Sequence, residues 1–488
     1  MSSLEEIREA RLKKRDEFLG FHISPYPLDG GAFEALSSVR QKFSTLQKSK
    51  KRLRVVGRLM AFREHGKSFF GDLYDGSGRI QIFGKQDEMS KESFGRFMGL
   101  VDIGDFIEVR GSPFLTKKKE KSILIENWGM LAKSIRPLPE KWHGLMDTEE
   151  RFRKRSLDLV MNVEARERFL TRSQIILYLR NFLSQEGFIE VETPLLHPVA
   201  GGALARPFVT HHDALNHDFY LRVAPELYLK RLLIGGMNKV FELGRNFRNE
   251  GIDMTHNPEF SMLELYEAYA NASSHMDFLE KLFKKLIKEI LKGTSFSYAD
   301  AEISFLKKCE RMTFSGALKR YALIPEYEKV SVNELRLRAR QLGVDGTDTK
   351  GKGKIADEIF KKICRPKIIQ PTFIIELPLD ISPLAKSLEK KEGIADRYLF
   401  VIGGLEIANG FSELNDPVIQ RERFQSQEEA RAAGDAEVTR MDEDFLEALE
   451  YGMPPAGGWA IGIDRLVMLL TGQTNIREAV LFPTLRPR

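Results

Sequence analysis

Cysteine is scarce in this sequence, which has only two among its 488 residues, Cys309 and Cys364. Neither lies in a CxxC or a Cys/His cluster, which argues against a disulfide framework and a structural zinc site. Long hydrophobic runs are also missing, since none approaches the roughly 20 apolar residues that a membrane-spanning helix needs. The first stretch, MSSLEEIREARLKKRDEF, is charged throughout and is no secretory signal. We therefore expect a cytoplasmic protein with no membrane partner.

The motifs of covalent catalysis and of phosphate-binding loops are missing as well. No Ser-His-Asp or Cys-His constellation stands out, and no GxxxxGK(S/T) or GxGxxG loop occurs where a βαβ unit would place one. What remains is a set of Arg, Glu and His residues on strands that we expect to be antiparallel. Such groups act by positioning a substrate and neutralising its charge, as in phosphoryl or nucleotidyl transfer.

The front of the chain has the strand order of an oligonucleotide-binding barrel. Residues 53–131 contain five short strand-like runs, and a helical stretch at 90–101 follows the third. Residues 1–135 carry seven more basic than acidic residues, whereas the rest carries two more acidic than basic, within a net charge of +5. This positive front suggests a polyanionic partner.

One phenylalanine of this barrel is a candidate for base stacking. Phe69 and Phe70 are consecutive in the second run, so strand alternation lets only one of them face the core. The other is left to stack on a base, as the aromatic residues of such barrels do. Gln81 follows in the third run, with Arg79 two residues earlier on the same face.

Residues 241–269 predict two antiparallel strands joined by a polar loop. Alternation places one set of residues on a single face of the second strand: Met262, Glu264, Tyr266 and Ala268. In the loop, Arg248 beside Glu250 suits a nucleotide site, because Arg pairs bidentately with phosphate. A solvated charged hairpin is the alternative interpretation.

Other stretches predict the elements around this hairpin. We expect a helix over 151–187, a strand over 188–196 that ends at Pro194, a helix that begins near Glu226, and a Gly-rich strand that runs into a helix over 458–472. Glu226 at a helix N-terminus is stabilised by the helix dipole and can be a capping group only. Arg465 at the last junction can meet a phosphate.

Glu406 and Glu413 pose a geometric conflict. They are seven residues apart in a strand-like run, which places them on opposite faces of a regular strand. Gly410 lies between them and permits a bend or a bulge. Without such a bend, the two carboxylates cannot serve one site.

Three motifs in order resemble the class II aminoacyl-tRNA synthetases, most closely the class II lysyl-tRNA synthetases of class IIb. GFIEVETPLL (187–196) is similar to motif 1, FRNEGIDMTHNPEF (247–260) to motif 2, and GIDRLVMLL (462–470) to motif 3. The resemblance continues through GGALARPF (201–208), APELYLKRL (224–232) and EIANGFSELNDP (406–417), and it covers about residues 50–488.

The resemblance implies an α+β fold with an N-terminal OB-fold β-barrel and a class II antiparallel sheet flanked by helices. We expect a helical, basic extension at 1–50, an anticodon-binding barrel at 51–135, a linker at 136–165 and a catalytic domain at 166–488. A helical insertion is expected at about 275–395. The implied reaction is ATP-dependent activation of L-lysine and its transfer to tRNA(Lys), by a homodimer in which motif 1 forms the interface.

The resemblance also implies a role for individual residues. Arg248 and Arg465 would be catalytic and would hold the phosphates. The expected ATP site comprises Arg248, Glu250, His256, Asn257, Phe260, Glu406 and Arg465. The expected lysine site comprises Gly202, Glu226, Arg248, Glu264, Tyr266, Asn409, Phe411 and Glu413. The anticodon would be read by Arg63, Phe70, Gln81 and Glu120.

One position departs from the family pattern. Glu406 would bind Mg²⁺, the expected cofactor, but the second metal-binding Glu of the family is here Leu399, which cannot ligate a cation. Either a nearby carboxylate substitutes for it, or fewer Mg²⁺ ions bind.

Three alternatives were weighed against lysine activation. An aspartyl- or asparaginyl-type class IIb synthetase conflicts with Glu226 and Glu413, because two carboxylates would repel an acidic substrate. A lysyl or β-lysyl ligase acting on a protein would lack the barrel. A non-catalytic RNA-binding paralogue would be expected to lose Arg248 and Arg465, which are present.

Overall fold

The computed structural model describes residues 3–28, 30–139, 147–199, 201–202, 205–347, 350–432 and 441–487. The chain divides into two compact units, Met1–Met146 and Asp147–Arg488. Among the described residues, no helix is long and apolar enough to cross a membrane.

The first unit is a closed five-stranded barrel with helices around it. Its elements are α1 (Leu4–Gly20), α2 (Leu36–Gln41), α3 (Phe43–Lys48), β1 (Leu53–His65), β2 (Ser68–Tyr74), β3 (Arg79–Lys85), α4 (Lys91–Leu100), β4 (Phe106–Leu115) and β5 (Lys121–Ala132). The strands close in the order β1-β2-β3-β5-β4. The predicted OB-fold, with its helix after the third strand, is therefore confirmed.

The barrel core follows from strand alternation. Phe69 points inward, is fully buried and stacks on Phe97 of α4 with ring centroids 4.3 Å apart. Gly84 lies opposite Phe69 in the register, where a Cβ would lie within van der Waals overlap of the Phe69 ring. Phe18 and Phe43 from the preceding helices belong to the same core. The segment at 1–50 is therefore packed into this unit and is not a separate extension.

The second unit is built on an eight-stranded sheet. Its first elements are α5 (Thr148–Arg153), α6 (Arg155–Met161), α7 (Val163–Gln185), β6 (Ile189–Glu190), β7 (Leu196–His197), β8 (Val209–His212), β9 (His217–Leu221), α8 (Glu226–Ile234), β10 (Lys239–Phe247), β11 (Glu259–Ala268) and α9 (Ala272–Leu291). Next come β12 (Ser295–Tyr298), β13 (Ala301–Ser304), β14 (Glu310–Thr313), α10 (Phe314–Ala317), α11 (Val332–Gln341), α12 (Lys352–Ile359), β15 (Thr372–Pro378) and β16 (Ile394–Ile402). The last are β17 (Leu405–Ser412), α13 (Pro417–Ala432), α14 (Glu443–Glu450), β18 (Ala456–Gly462), α15 (Ile463–Leu470) and α16 (Ile476–Ala479).

The large sheet has the order β14-β15-β16-β17-β18-β11-β10-β6, and its neighbours are antiparallel except for the pairs at its two edges. One face packs against α7, α9 and α15, where Leu263 and Leu265 of β11 enter the largest core cluster. The opposite face carries Tyr266 and Ala268 of β11 and packs against α8, α13 and α14. Alternation along β11 therefore separates the core from the face that holds the polar residues.

The strand predicted over 188–196 is confirmed only in part. Ile189–Glu190 pairs in parallel with β10, whereas Leu196–His197 joins a separate sheet of order β7-β9-β8. Pro194 lies between the two short strands, and proline has no backbone N–H to donate to a ladder. The strand therefore ends before Pro194, as expected, but it is shorter than the prediction.

The predicted linker and the predicted helical insertion are also wrong in part. Residues 148–161 of the expected linker are helical, and Arg155 and Asp158 form a buried pair 2.5 Å apart there, while residues 140–146 lie outside the described ones. Within 275–395, α9 packs on the central sheet, and β14, β15 and β16 extend that sheet. The helices α10–α12 have their own cluster, which includes Leu399.

Candidate functional site

A strand that presents only Ala and Gly on one side forms the floor of a groove on the polar face of the sheet. Strand β18 reads AGGWAIG and lies between β11 and β17. In the register, Gly458 stands between Tyr266 and Phe411. A Cβ on Gly458 would come within 2.5 Å of both the Glu413 Oε1 and the Tyr266 ring. Glycine at this position therefore leaves the space over which the groove residues meet.

The conflict between Glu406 and Glu413 is resolved by a bulge, but not at Gly410. The register with β16 shifts between Ala408 and Glu406, so Ile407 is the extra residue. Ile407 and Ala408 both enter the core, and Glu406 moves to the face of Asn409. Gly410 instead faces the Tyr398 hydroxyl, which a Cβ would approach to 2.4 Å.

One end of the groove is acidic. Glu226, the first residue of α8, and Glu413, just after β17, both contact the Nζ of Lys230, at 2.7 and 2.5 Å. The Tyr266 hydroxyl donates to Glu264 Oε2 at 3.2 Å. Burial and the nearby Glu226 carboxylate raise the pKa of Glu264 to about 8. The predicted lysine-binding carboxylates are therefore close together and short of positive charge.

Three further residues of the predicted lysine site lie around these carboxylates. Gly202 has φ +90, and a Cβ added to it would lie 3.5 Å from the Cβ of Glu226. Asn409 accepts a hydrogen bond from Arg397 Nε at 3.0 Å, and the Lys230 ammonium lies 5.3 Å from the centre of the Phe411 ring. The structure thus assembles this predicted set on one face.

The other end of the groove is basic. Burial lowers the pKa of Arg248, although Glu250, Glu264 and Glu406 oppose this shift. The Arg248 Cζ lies 5.1 Å from the centre of the Phe260 ring. Its Nε is buried and has no hydrogen-bond partner among the described residues. An anion placed here would supply the missing acceptor.

Arg465, His256 and Glu406 are linked at this basic end. Arg465 Nη2 donates to His256 Nε2 at 2.8 Å, and His256 Nδ1 lies 2.8 Å from Asp253 Oδ2. A neutral imidazole with its proton on Nδ1 satisfies both bonds. Arg465 Nη1 also donates to the Glu406 backbone oxygen at 3.3 Å.

Glu406 offers one carboxylate to a cation. Burial would raise its pKa, but Arg465, Arg365, Lys361 and Arg397 outweigh burial and lower it. Leu399 is buried in the apolar cluster of α10–α12, and no group of three or more metal-ligating side chains occurs among the described residues. The donor set fits an ion that brings its own phosphate and water ligands, and does not fit a two-carboxylate metal site.

Asn257 and Arg245 make contacts within the loop and the hairpin, and Glu250 is exposed. Asn257 is buried, donates to the Glu259 oxygen at 2.6 Å and accepts from the Thr484 N–H at 3.3 Å. Its amide therefore holds the loop and does not point into the groove. Glu250 is exposed in the loop, and Arg245 lies 3.5 Å from Glu259 across the hairpin.

The barrel carries a separate candidate surface for nucleic acid. Phe70 is half-buried on the outside of β2 and stacks on Phe83 with ring centroids 4.6 Å apart. Exposed Arg63 lies directly opposite Phe70 in the register. The Ser122 hydroxyl lies 2.8 Å from Gln81 Oε1 and 3.3 Å from the Glu120 backbone oxygen. The four residues predicted to read an anticodon therefore lie on the outer surface of neighbouring strands and turns.

Comparisons with known proteins agree with both surfaces. A family profile described as tRNA synthetases class II (D, K and N) matches residues 147–486, and one described as OB-fold nucleic acid binding domain matches residues 53–131. The chain belongs to the class II tRNA synthetases of the D, K and N group.

Curated relatives of this class II tRNA synthetase are named lysine–tRNA ligase. The protein from Carboxydothermus hydrogenoformans is 46% identical over 99% of both chains. That from Moorella thermoacetica is 47% identical over 99% of this chain and 98% of the relative. That from Methanoculleus marisnigri is 43% identical over 98% of this chain and 94% of the relative.

Sequence reasoning missed several residues of the groove and of the barrel surface. Lys230 is four residues after Glu226 on α8, a spacing that brings the two side chains together and was available as a signal. Phe83 shares a strand face with Gln81, which was a signal for a second exposed aromatic. Arg365 lies 4.0 Å from Glu406, far away in the sequence, and only the tertiary structure brings it there.

Proposed function

We propose that this chain is a lysine–tRNA ligase, which activates L-lysine with ATP and transfers the lysyl group to the 3′ end of tRNA(Lys). The observation that carries the proposal is the charge distribution along the groove. Buried carboxylates (Glu226, Glu264, Glu413) lie at one end, and half-buried arginines (Arg248, Arg465) lie at the other. This distribution matches a diamine with one carboxylate, placed next to a triphosphate.

The acidic end recognises lysine in this proposal. Glu413 and Glu226 bind the side-chain ammonium, and Glu264 binds the α-ammonium. Tyr266 and Phe411 flank the aliphatic part over the space that Gly458 leaves. A neutral analogue would leave the buried carboxylates unpaired, so the site rejects it strongly.

The basic end promotes adenylate formation. A carboxylate oxygen of lysine attacks the α-phosphorus of ATP, and the bond from that phosphorus to the leaving pyrophosphate oxygen breaks. Arg248 neutralises the negative charge that develops on the α-phosphate, while Arg465 holds the pyrophosphate side. Phe260 stacks on adenine, and His256 orients Arg465. No protein nucleophile is required, because positioning and charge neutralisation do the work.

Magnesium enters with the nucleotide in this proposal. Glu406 would hold one Mg²⁺ together with the ATP phosphates, and the ion would neutralise phosphate charge. Leu399 adds no ligand. The fixed cations Arg365, Lys361 and Arg397 surround the same carboxylate and add positive charge to this end of the groove.

Transfer and tRNA recognition complete the cycle. The 3′-hydroxyl of the terminal ribose attacks the lysyl carbonyl of the adenylate, and AMP leaves with the bonding electron pair. The barrel surface around Phe70, with Arg63, Gln81 and Glu120, binds the anticodon by stacking and by polar contacts to base edges.

We also propose a cytoplasmic homodimer. Large apolar side chains are exposed along the elements of motif 1 and α7: Leu170, Leu177, Ile189, Leu195 and Leu196. Contiguous exposed apolar residues of this kind are typical of a subunit interface. Sedimentation of the purified protein would give twice the mass of the chain.

The decisive assay is amino-acid-dependent exchange of pyrophosphate into ATP. We expect exchange with lysine and none with aspartate or asparagine at the same concentration. Exchange with an acidic amino acid in place of lysine would move the chain to a sister specificity. Absence of exchange with every amino acid, together with retained tRNA binding, would favour a non-catalytic RNA-binding protein.

A further inference from the structure

Lys230 is a buried cation at the centre of the acidic end of the groove. Its side chain is fully buried, and its Nζ contacts Glu226 Oε1 at 2.7 Å and Glu413 Oε2 at 2.5 Å. It also faces the Phe411 ring at 5.3 Å. A lysine is seldom buried unless its charge is compensated, so this contact with two carboxylates fixes its position.

The other cations near the acidic end have partners of their own. Arg222 pairs with Glu242 at 2.5 Å. Arg397 donates to Asn409 Oδ1 and to the Ile381 oxygen. Arg248 lies towards the basic end, where its charge interacts with Glu250, Glu264 and Glu406. Lys230 is therefore the cation that contacts the carboxylate pair directly.

The charges at this end do not balance when all three carboxylates are ionised, as they are when they bind ammonium groups. Three buried carboxylates, Glu226, Glu264 and Glu413, face one ammonium, that of Lys230. Two positive charges are missing, and free L-lysine carries two ammonium groups. Without Lys230, three positive charges would be missing. With a second buried lysine, only one would be missing, and the pocket would fit a substrate with one ammonium group.

We infer that Lys230 is a specificity-determining positioning residue, which sets the charge of the pocket to match a substrate with two ammonium groups. The inference rests on the proposed function, since it assigns the substrate to this pocket. Lys230 contacts one oxygen of Glu226 and one of Glu413. The second oxygen of each carboxylate is left for the side-chain ammonium of the substrate.

Two further observations support this role. Glu413 Oε1 is buried and has no hydrogen-bond partner among the described residues. Burial raises the pKa of Glu413 although Lys230 opposes the shift, and the pKa of Glu264 is raised as well. Both effects follow when a pocket has fewer positive charges than its carboxylates require.

A double-mutant cycle on lysine binding tests the inference. Lys230→Met removes the ammonium at similar length, Glu226→Gln removes one carboxylate charge, and the double variant restores the charge difference of two. We expect each single change to weaken lysine binding. If the two changes acted independently, their fold losses in lysine affinity would multiply. We expect the double variant to bind lysine at least about tenfold more tightly than that product predicts.

Selectivity gives a measurement that a purely structural role would not change. We expect Lys230→Met to lower the preference for lysine over norleucine, which has the same four-carbon side chain without the terminal ammonium, at least about tenfold. Lys284→Met is the matched control, because Lys284 pairs with Glu280 at the same i,i+4 spacing and at 2.7 Å on α9. The control should leave both affinities unchanged, and ATP affinity should stay the same in all variants.

Three results would overturn the inference while leaving the proposed function intact. They are additive effects in the cycle, an unchanged ratio of lysine to norleucine affinity, and a double variant that fails to fold. If Lys230→Met alone fails to fold and the double variant folds and binds lysine, the expected coupling has been observed. A wild-type protein that does not bind lysine contradicts the proposed function itself.

Discussion

The charged groups of the sheet groove and those of the barrel surface differ in their exposure to water. In the groove, Glu264 and Glu413 are almost completely buried, so their ionisation depends on the charges that meet them. On the barrel, Arg63 and Glu120 are exposed and Phe70 is half-buried, so water screens the charges and an aromatic face does much of the binding. A small change to a side chain should therefore alter ligand binding more in the groove than on the barrel.

The largest loss is expected from Arg248→Ala in the groove. The variant removes the half-buried guanidinium that neutralises the α-phosphate in the proposed reaction, and lysine-dependent exchange should fall by at least about a thousandfold. Arg245→Ala is the matched control, because Arg245 is exposed in the same hairpin three residues earlier and faces Glu259. Equal losses in the two variants would contradict the role given to Arg248.

Filling the floor of the groove should also be severe. The Cβ of Gly458→Ala would lie 2.5 Å from Glu413 Oε1 and from the Tyr266 ring, and overpacking of this kind costs about 1–3 kcal/mol. We expect the KM for lysine to rise about 5- to 150-fold, with the KM for ATP unchanged. At Gly462, on the same strand, a Cβ would come no closer than 3.9 Å to a neighbour. Gly462→Ala should therefore have little effect, and a loss there equal to that of Gly458→Ala would argue against a steric cause.

The buried carboxylates predict a pH dependence of lysine binding. The pKa of Glu264 is about 8 in the free protein, and the substrate ammonium needs the ionised form. A proton must therefore leave on binding, so affinity should rise as the pH increases from 6 towards 8. Burial also raises the pKa of Glu413 to about 8, so a second proton can leave, and the slope below the pKa is about tenfold per pH unit for each proton released. Calorimetry in buffers of different ionisation enthalpy would measure the released protons, and an affinity independent of pH would show that Glu264 is already ionised.

The barrel change is expected to have the smallest effect on amino-acid activation. Stacking on one aromatic side chain is worth about 1–3 kcal/mol, so Phe70→Ala should weaken tRNA binding by about 5- to 150-fold. Exchange without tRNA should not change, because the groove is untouched. Phe69→Ala is the contrasting variant, since Phe69 is fully buried and its loss should lower barrel stability. A loss of exchange in Phe70→Ala would contradict the assignment of tRNA binding to the barrel and of activation to the groove.

Local pattern accounts for much of what the sequence predicted. Strand alternation correctly predicted that only one of Phe69 and Phe70 faces the core, and it placed Glu264 and Tyr266 on one face of β11. The hairpin around residue 248 and the helix that begins at Glu226 also have the expected types. These features depend on neighbouring residues, and periodicity carries that information directly.

The errors occur where a local pattern was overridden. The strand expected over 188–196 is reduced to Ile189–Glu190, because the segment on the other side of Pro194 joins a separate sheet. The bulge at Ile407 was expected at Gly410, because glycine is the usual marker of a bend. Instead, Gly410 serves the close approach of Tyr398, a neighbour that only strand pairing identifies.

The sequence by itself determined the two architectures, the face of each strand and most of the charged residues of the groove, because these depend on spacing along the chain. Only the tertiary structure decided how the charges meet. It brings Lys230 between Glu226 and Glu413, Arg365 to Glu406, and Arg465 to His256. The energy of a buried charge depends on its distance to others and on its exposure, and neither quantity is encoded at any single position of the chain.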